Sequence, residues 1–378
     1  MDFTQNESQR ELAALSRSIL TGRLTQERLS EAEAGADGFD PGLWADLAGA
    51  GVLAAALPEA LGGAGLGLLE QCSVLTELGR TVAPVPYLAS IVLGAGALAR
   101  FGTAGQQHRW AAPAGRGELI LTAALAEEDG EDPTAPSARA ERVQGDGEVG
   151  GRWLLSGVKT TVPAAPLAAV LLVPATTRQG VPVFLVTPGD AGVTVQPQQL
   201  TGGGSAGRVV LDGVSLSPDR VLGSPATRRG ITDWLVAHAT VGLCALQAGV
   251  VERALELTAE YARSRVQFGK PIGGFQAVAQ RLADAYIDVE AVRLTMWQAA
   301  WRLSAGLPSG TEIATAKFWA ADAGHRVAHT AVHVHGGVGI DMEYPLHRYY
   351  TAAKHNEFAL GGATTQLRRI GAALATAG

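Results

Sequence analysis

The sequence predicts an α+β chain with three parts. These are an N-terminal helical domain over residues 1–120, a middle antiparallel, barrel-like β-domain over 121–222, and a C-terminal four-helix bundle domain over 223–378. Three observations predict it. Apolar residues recur at helical spacing through the first third. The middle third changes to short apolar runs separated by Gly, Pro and Asp. The last third returns to long helical periodicity.

Helices are expected over 7–20 and 43–50, where apolar residues keep helical spacing. Asp40-Pro41 is a start signal, with Asp as N-cap and Pro at the first helical position. A glycine-rich loop over 61–65 precedes a helix over 68–79, and Pro84 and Pro86 break the chain before a helix over 90–101. Strands are expected over 120–126, 153–158, 170–173, 182–186, 193–196 and 209–211. Long helices are expected over 231–263 and 278–303. Ser309-Gly310-Thr311-Glu312 fits a capping box that opens a third, running to about residue 335. A final helix is expected over 364–374.

Composition narrows the function classes. A length of 378 residues allows two or three domains and a substantial core. Hydrophobic content of 47% and charged content of 17% describe a globular chain and not a disordered one. The formal net charge is -6 and no long basic run occurs, which argues against a nucleic-acid partner. Cys72 and Cys244 lie in apolar helical contexts, so buried free thiols are expected and not a disulfide, as suits a reducing cytoplasm. The polar start MDFTQNESQREL does not have the pattern of a signal peptide, and no uninterrupted apolar run is long enough to span a bilayer. A cytoplasmic chain without a membrane is therefore expected.

The chemistry concentrates in 261–284, YARSRVQFGKPIGGFQAVAQRLAD. Arg265 is a permanent cation whose planar fork suits phosphate oxygens. Phe268 offers a flat apolar face to a heterocycle. Gly269, Pro271, Gly273 and Gly274 let the backbone turn sharply and approach a ligand. The plainer alternatives are a surface Arg265 paired with Glu260 or Asp284, and a core Phe268. A second glycine-rich turn, His335-Gly336-Gly337-Val338-Gly339, follows a helix, where a nucleotide site and a helix C-cap explain it equally well. His325, His329 and His333 recur at i, i+4 and i+8, a spacing that can ligate zinc. No Cys or acidic ligand sits at a suitable offset, so no metal is expected.

The run R-x-Q-F-G, followed by an apolar residue and F-Q, resembles the flavin-binding signature of the acyl-CoA dehydrogenase family. The likeness covers nearly the whole chain. Residues 43–65 resemble the family's N-terminal loop, and 335–350 its second cofactor-binding signature. The resemblance implies FAD as cofactor, α,β-dehydrogenation of an acyl-CoA thioester, and an electron-transfer flavoprotein as electron acceptor. It implies that Arg265 meets the FAD pyrophosphate of a neighbouring subunit. Gln267, Phe268, Phe275, Gln276, Gly336 and Gly337 occupy matching cofactor-binding positions. His333 stands where the family usually has Gln.

Two departures shape the expectation. On the flavin-ring side, the family's Thr-Glu-Pro and Gly-Ser-Asp segments are replaced by Ala126-Glu127-Glu128 and Gly130-Glu131-Asp132-Pro133, and Thr161 and Pro163 stand where an aromatic residue and a Thr are usual. The two positions at which family members carry the catalytic Glu hold Leu360 and Ala239. The nearest carboxylates are Glu357, which Lys354 or Arg348 could pair, and Asp233, in the first turn of its helix. No catalytic base is therefore assigned. The resemblance implies the base-lacking subunit of a hetero-oligomer, with FAD shared with or held mainly by a homologous partner. A self-sufficient homo-oligomer with a relocated base, and a recruited scaffold without FAD, are the alternatives. Ala239, Thr240 and Gly242 are small, which suits a bulky acyl group or tight helix packing equally.

Overall fold

Asn6 accepts the Gln9 amide proton while the Gln9 side chain accepts from the Asn6 backbone, and this reciprocal cap starts α1 (Glu7–Arg23). The computed structural model describes residues 3–35, 37–130, 132–143, 151–224, 228 and 230–377. A short α2 (Gln26–Ala34) follows; it is absent from the sequence expectation because Leu29 is its one buried residue. Asp40 caps α3 (Pro41–Gly49) as expected, accepting from the Leu43 amide, and Arg28 on α2 grips the same carboxylate at 2.6 Å. Next come α4 (Leu68–Thr81), a π-helical stretch (Leu88–Ala95) that continues into α5 (Gly96–Phe101), and the short α6 (Ala104–Gln106) and α7 (Ala112–Gly115).

The middle of the chain forms β1 (Leu121–Ala123), β2 (Arg139–Val143), β3 (Arg152–Pro163), β4 (Val170–Pro174), β5 (Val183–Val186), β6 (Val193–Gln198) and β7 (Ala206–Leu216). They make one sheet in the order β1-β4-β5 and another in the order β2-β3-β7-β6. A core that includes Leu155, Val173, Phe184, Val209 and Val214 lies between them. The antiparallel, barrel-like expectation needs two corrections. β1 pairs with β4 in parallel, because the chain crosses to the other sheet and back between them. Among the described residues the two sheets do not close into a barrel. Strand β2 was not expected; its sequence RAERV buries only Ala140.

The last third contains α8 (Ile231–Ser264), a hairpin of β8 (Val266–Gln267) and β9 (Lys270–Pro271), then α9 (Gln276–Ser304), α10 (Gly310–His335), α11 (Leu346–Phe358) and α12 (Ala363–Ala377). The four expected helices are joined by α11, which packs through Tyr349, Ala352 and Ala353 and through buried polar residues. The expected capping box at Ser309 does not form. Ser309 has φ -136° and ψ 2° and makes no side-chain cap, while Glu312 pairs with Arg302 at 3.1 Å. Helix α8 is long and apolar enough to cross a membrane by composition, which the sequence expectation overlooked. However, 72% of its apolar window is buried inside the protein.

Glycines let α4 and α8 touch backbone to backbone. A Cβ on Gly249 would lie 2.0 Å from the Thr76 carbonyl oxygen, and one on Gly79 would lie 2.1 Å from that of Leu246. Cys72 and Cys244 are buried free thiols in this core, and burial pushes the Cys244 thiol up to about 12.

Lys317 is fully buried in α10, and among the described residues it forms no ion pair. Its Nζ donates to the carbonyls of Asn356 and Glu357, each at 3.0 Å, so it caps the end of α11. Burial pushes its pKa down to about 8 from the ordinary 10.5. The sign follows from proton linkage: between those values the unfolded chain holds a proton that the folded chain has released, so stability rises with pH. Relative to Lys317→Met, the wild type is expected to gain roughly 2 kcal/mol between pH 7.5 and pH 10. Urea melts of both proteins at the two pH values check this, and a pH-independent difference would contradict it.

Candidate functional site

The last turn of α8 delivers Arg265 to the base of the hairpin, where its backbone N–H donates to Tyr261 and its carbonyl accepts from Ile272. Pairing of Gln267 with Lys270 leaves Phe268 and Gly269 as a two-residue tip, both left-handed, with φ of 51° and 80°. Glycine or Asn is the usual occupant there, because a side chain in that region is strained. Phe268 is also 93% exposed, so it is not a core residue. A bulky aromatic that is both strained and solvated in the isolated chain has no structural reason to be there. Arg265 is exposed, and neither Glu260 nor Asp284 pairs with it; Glu260 meets Arg253 instead. Phe275 meets Phe268 edge-on, with ring centroids 6.2 Å apart, and lies under the Lys270 ammonium. Gln276, the first residue of α9, is exposed. The Gln267 side chain donates to the Val266 carbonyl.

The second signature lies against the first. Tyr261 stacks on His335 with ring centroids 4.3 Å apart and planes at 24°. Gly336 leaves α10 at φ 61° and ψ -139°, a conformation open to glycine, and Gly337 has free space on its Cβ side. His333 is exposed and lines a groove of about 850 Å³ between α9 and α10, together with Arg281, Asp284, His325 and His329. Of the histidine stripe, His325 faces Glu357 and the Lys354 ammonium, which lies 2.9 Å from its Nδ1. Among the described residues no group of three or more His, Cys, Asp or Glu is placed to hold a metal.

The flavin-ring side differs in kind. Glu127 is not a stray acid. It forms a buried pair with Lys159 at 2.7 Å and also accepts from the Ser137 and Ala138 amides. Glu128 pairs with Arg208 on the surface at 2.6 Å, and Glu131 lies outside the described residues. Thr161 sits at a bulge in β3 with φ 46° and donates its N–H to Gln198 at 2.7 Å. Exposed cation, exposed aromatic and open glycines therefore fit the nucleotide half of an FAD.

The two positions at which the resemblance places a base, Ala239 and Leu360, are aliphatic. Ala239 is buried in α8, and the Thr240 hydroxyl beside it donates to the Val236 carbonyl. Leu360 is left-handed, with φ 60°. Its carbonyl and that of Gly361 accept from the buried Gln366 side chain, and Leu360 itself packs against the large core. Asp233 is exposed in the first turn of α8. Glu357 is held by Lys354 at 2.5 Å, and not by Arg348. Arg348 is buried and forks onto Glu33 at 2.6 Å, with Gln26 and Ser30 completing its contacts, so it ties α11 to α2. Gly242 serves packing: a Cβ there would meet Leu88 at 2.3 Å.

One residue escaped the sequence reasoning. His238, next to Ala239, stacks on Trp234 with centroids 3.8 Å apart, and burial pushes its pKa down to about 4. The i, i+4 spacing of Trp234 and His238 was the available signal.

Comparison with known proteins places this arrangement. Residues 6–118 match the acyl-CoA dehydrogenase N-terminal domain, and residues 230–375 match the acyl-CoA dehydrogenase C-terminal domain. The chain is 49% identical to acyl-CoA dehydrogenase FadE27 of Mycobacterium tuberculosis, over 99% of both sequences. It superposes on a chain of the ChsE4-ChsE5 complex from Mycobacterium tuberculosis with a TM-score of 0.92 and 50% identity, covering 99% of both chains. A variant of the Tcur3481-Tcur3483 steroid ACAD matches with a TM-score of 0.91 and 41% identity, covering 98% of both chains.

Proposed function

This chain belongs to the acyl-CoA dehydrogenase family, and from that premise we propose that it is the base-lacking subunit of a heteromeric, FAD-dependent acyl-CoA dehydrogenase. One observation carries the proposal. The chain turns a free guanidinium and an exposed, strained aromatic outward at Arg265 and Phe268, while Ala239 and Leu360 fill the base positions with aliphatic side chains. It offers a cofactor contact and places no proton acceptor at those two positions.

When bound, FAD would supply the hydride acceptor for Cβ of the thioester. This chain's share is binding and orientation. Arg265 would hold the pyrophosphate, its planar fork suiting charge-assisted hydrogen bonds. Phe268, beside Phe275, would cover a heterocycle face and remove apolar surface from water. Gln267, Gln276 and His333 supply hydrogen-bonding edges, and Gly336 and Gly337 let the backbone come close. The proton acceptor comes from the homologous partner, because neither Glu357, locked by Lys354, nor the solvated Asp233 is free in a dry pocket. An electron-transfer flavoprotein would be the electron acceptor, in a cytoplasm that suits two buried free thiols.

The likeness to a chain of a two-component complex and to a steroid ACAD supports a heteromer and a bulky, polycyclic acyl group. The test is expression alone and with a Glu-bearing family member. Alone, the chain is expected to be colourless and inactive on acyl-CoA. Together, the pair is expected to be yellow and active, and Arg265→Ala in the pair is expected to weaken FAD binding by about tenfold or more. A yellow chain active by itself would overturn the proposal in favour of a homo-oligomer. A chain colourless with every such partner would make it a scaffold.

A further inference from the structure

We propose that His335 is a positioning residue that sets the register between the two halves of the nucleotide cradle, acting through a stack of Tyr261, His335 and Tyr344; this rests on the cofactor contact proposed above. The two halves come from distant parts of the chain. Arg265 follows α8, and Gly336-Gly337 follow α10. Tyr261 lies one helical turn before Arg265, and its carbonyl receives the Arg265 N–H at 2.8 Å. His335 is the residue immediately before Gly336. The two rings that stack are therefore the last rigid side chains of each half before the cradle begins.

The hydrogen bonds fix the orientation of the imidazole. His335 Nδ1 lies 2.8 Å from the Ala331 carbonyl, which can only accept, so Nδ1 carries the proton. Nε2 is then the acceptor and receives the Tyr344 hydroxyl at 3.3 Å. Burial lowers the His335 pKa, in agreement with a neutral ring. Tyr344 also lies edge-on to Tyr261, at 6.5 Å and 66°, so three rings brace one another. Gly339 closes the back of the arrangement, since a Cβ there would lie 3.1 Å from that of His335. His335 touches neither Arg265 nor Phe268. Its role is to hold the helix end that delivers them.

The test compares three variants in the co-expressed pair and in the free chain. His335→Ala removes the stack. His335→Phe keeps a ring on Tyr261 without the two hydrogen bonds. Val327→Ala makes a cavity at a buried site of α10 that packs on Val251 and Val289, away from the cradle, as a control for general destabilisation. In the pair, flavin fluorescence titration of the FAD-stripped protein is expected to show Kd raised about tenfold by His335→Ala, largely restored by His335→Phe, and changed less than about twofold by Val327→Ala. In the free chain, hydrogen exchange over 265–276 is expected to speed up in His335→Ala and not in Val327→Ala. Unchanged exchange there, or an equal Kd loss in Val327→Ala and His335→Ala, would overturn the role of His335. A wild-type pair that binds no FAD, with the exchange result intact, would instead remove the cofactor reading and leave the register role standing.

Discussion

Glu127→Ala is expected to destabilise the protein by about 3–5 kcal/mol. The Lys159 side chain has no solvent exposure, and among the described residues its carboxylate partner is Glu127. Removing Glu127 leaves an ammonium in a low-dielectric interior, and the Ser137 and Ala138 amides lose their acceptor at the same time. The ionisation equilibria show the same balance. Burial pushes the Lys159 pKa down despite its partner. Burial alone would push Glu127 up, but Lys159 and the two amides outweigh it and hold the carboxyl below its usual range. A carboxyl lowered in this way contributes stability above its ordinary pKa and loses it as the pH falls through the lowered value. Urea unfolding checks the expectation, with a lower midpoint at an unchanged slope. Combining Glu127→Leu with Lys159→Met is expected to restore most of the loss, because replacing both charges leaves neither stranded. A single variant within about 1 kcal/mol of wild type would show that the pair is not what holds the loop to β3.

Gly249→Ala is expected to cost about 3 kcal/mol, the upper end for one added methyl. The added Cβ would lie 2.0 Å from the Thr76 carbonyl oxygen and 2.7 Å from the Arg80 nitrogen. Both are backbone atoms of α4, so no side chain can swing aside. The helices must separate, and Gly79 on the facing helix makes the same close approach in reverse. Separation would open the core that Cys72, Leu75 and Cys244 fill. Gly22→Ala supplies the contrast. It sits in α1 with open space around it, so the same change there is expected to stabilise by about 0.5 kcal/mol through reduced chain entropy. Thermal melts of the two variants, expected to move in opposite directions, check the pair. A neutral Gly249→Ala would mean that the α4–α8 crossing is looser than the close approach indicates.

The parts of the fold that were legible in the sequence are those held by apolar periodicity. Helices α8, α9 and α10 each sustain a repeat over many turns, and β4 and β5 are unbroken apolar runs. The elements that escaped are held by polar contacts. Helix α2 buries one Leu and is fixed through Arg28 and the Arg348–Glu33 pair. Helix α11 packs with Arg348, His347 and Asn356 buried, which no hydropathy pattern marks. The capping box at Ser309 failed because the right residue types did not adopt the cap dihedrals. The candidate site divides in the same way. Residue types alone pointed to Arg265 and Phe268. The left-handed tip, the free guanidinium, the Tyr261–His335 stack and the pairing of Glu127 with Lys159 all depend on residues that only the fold brings together.

Helix α8 has a further consequence for how the chain is made. It is hydrophobic enough to be mistaken for a membrane anchor, and what prevents this is cover from α4, α9, α10 and α11. Of the elements that pack on it, α4, the π-helical stretch and α5 precede it in the sequence, while α9, α10 and α11 leave the ribosome later. Throughout that interval the nascent chain presents a long apolar segment with only its N-terminal cover made. The glycine seam between α4 and α8 is among the contacts available at that stage, together with the packing of Gly242 on Leu88, so close backbone approach is expected to begin covering the segment before the later helices arrive.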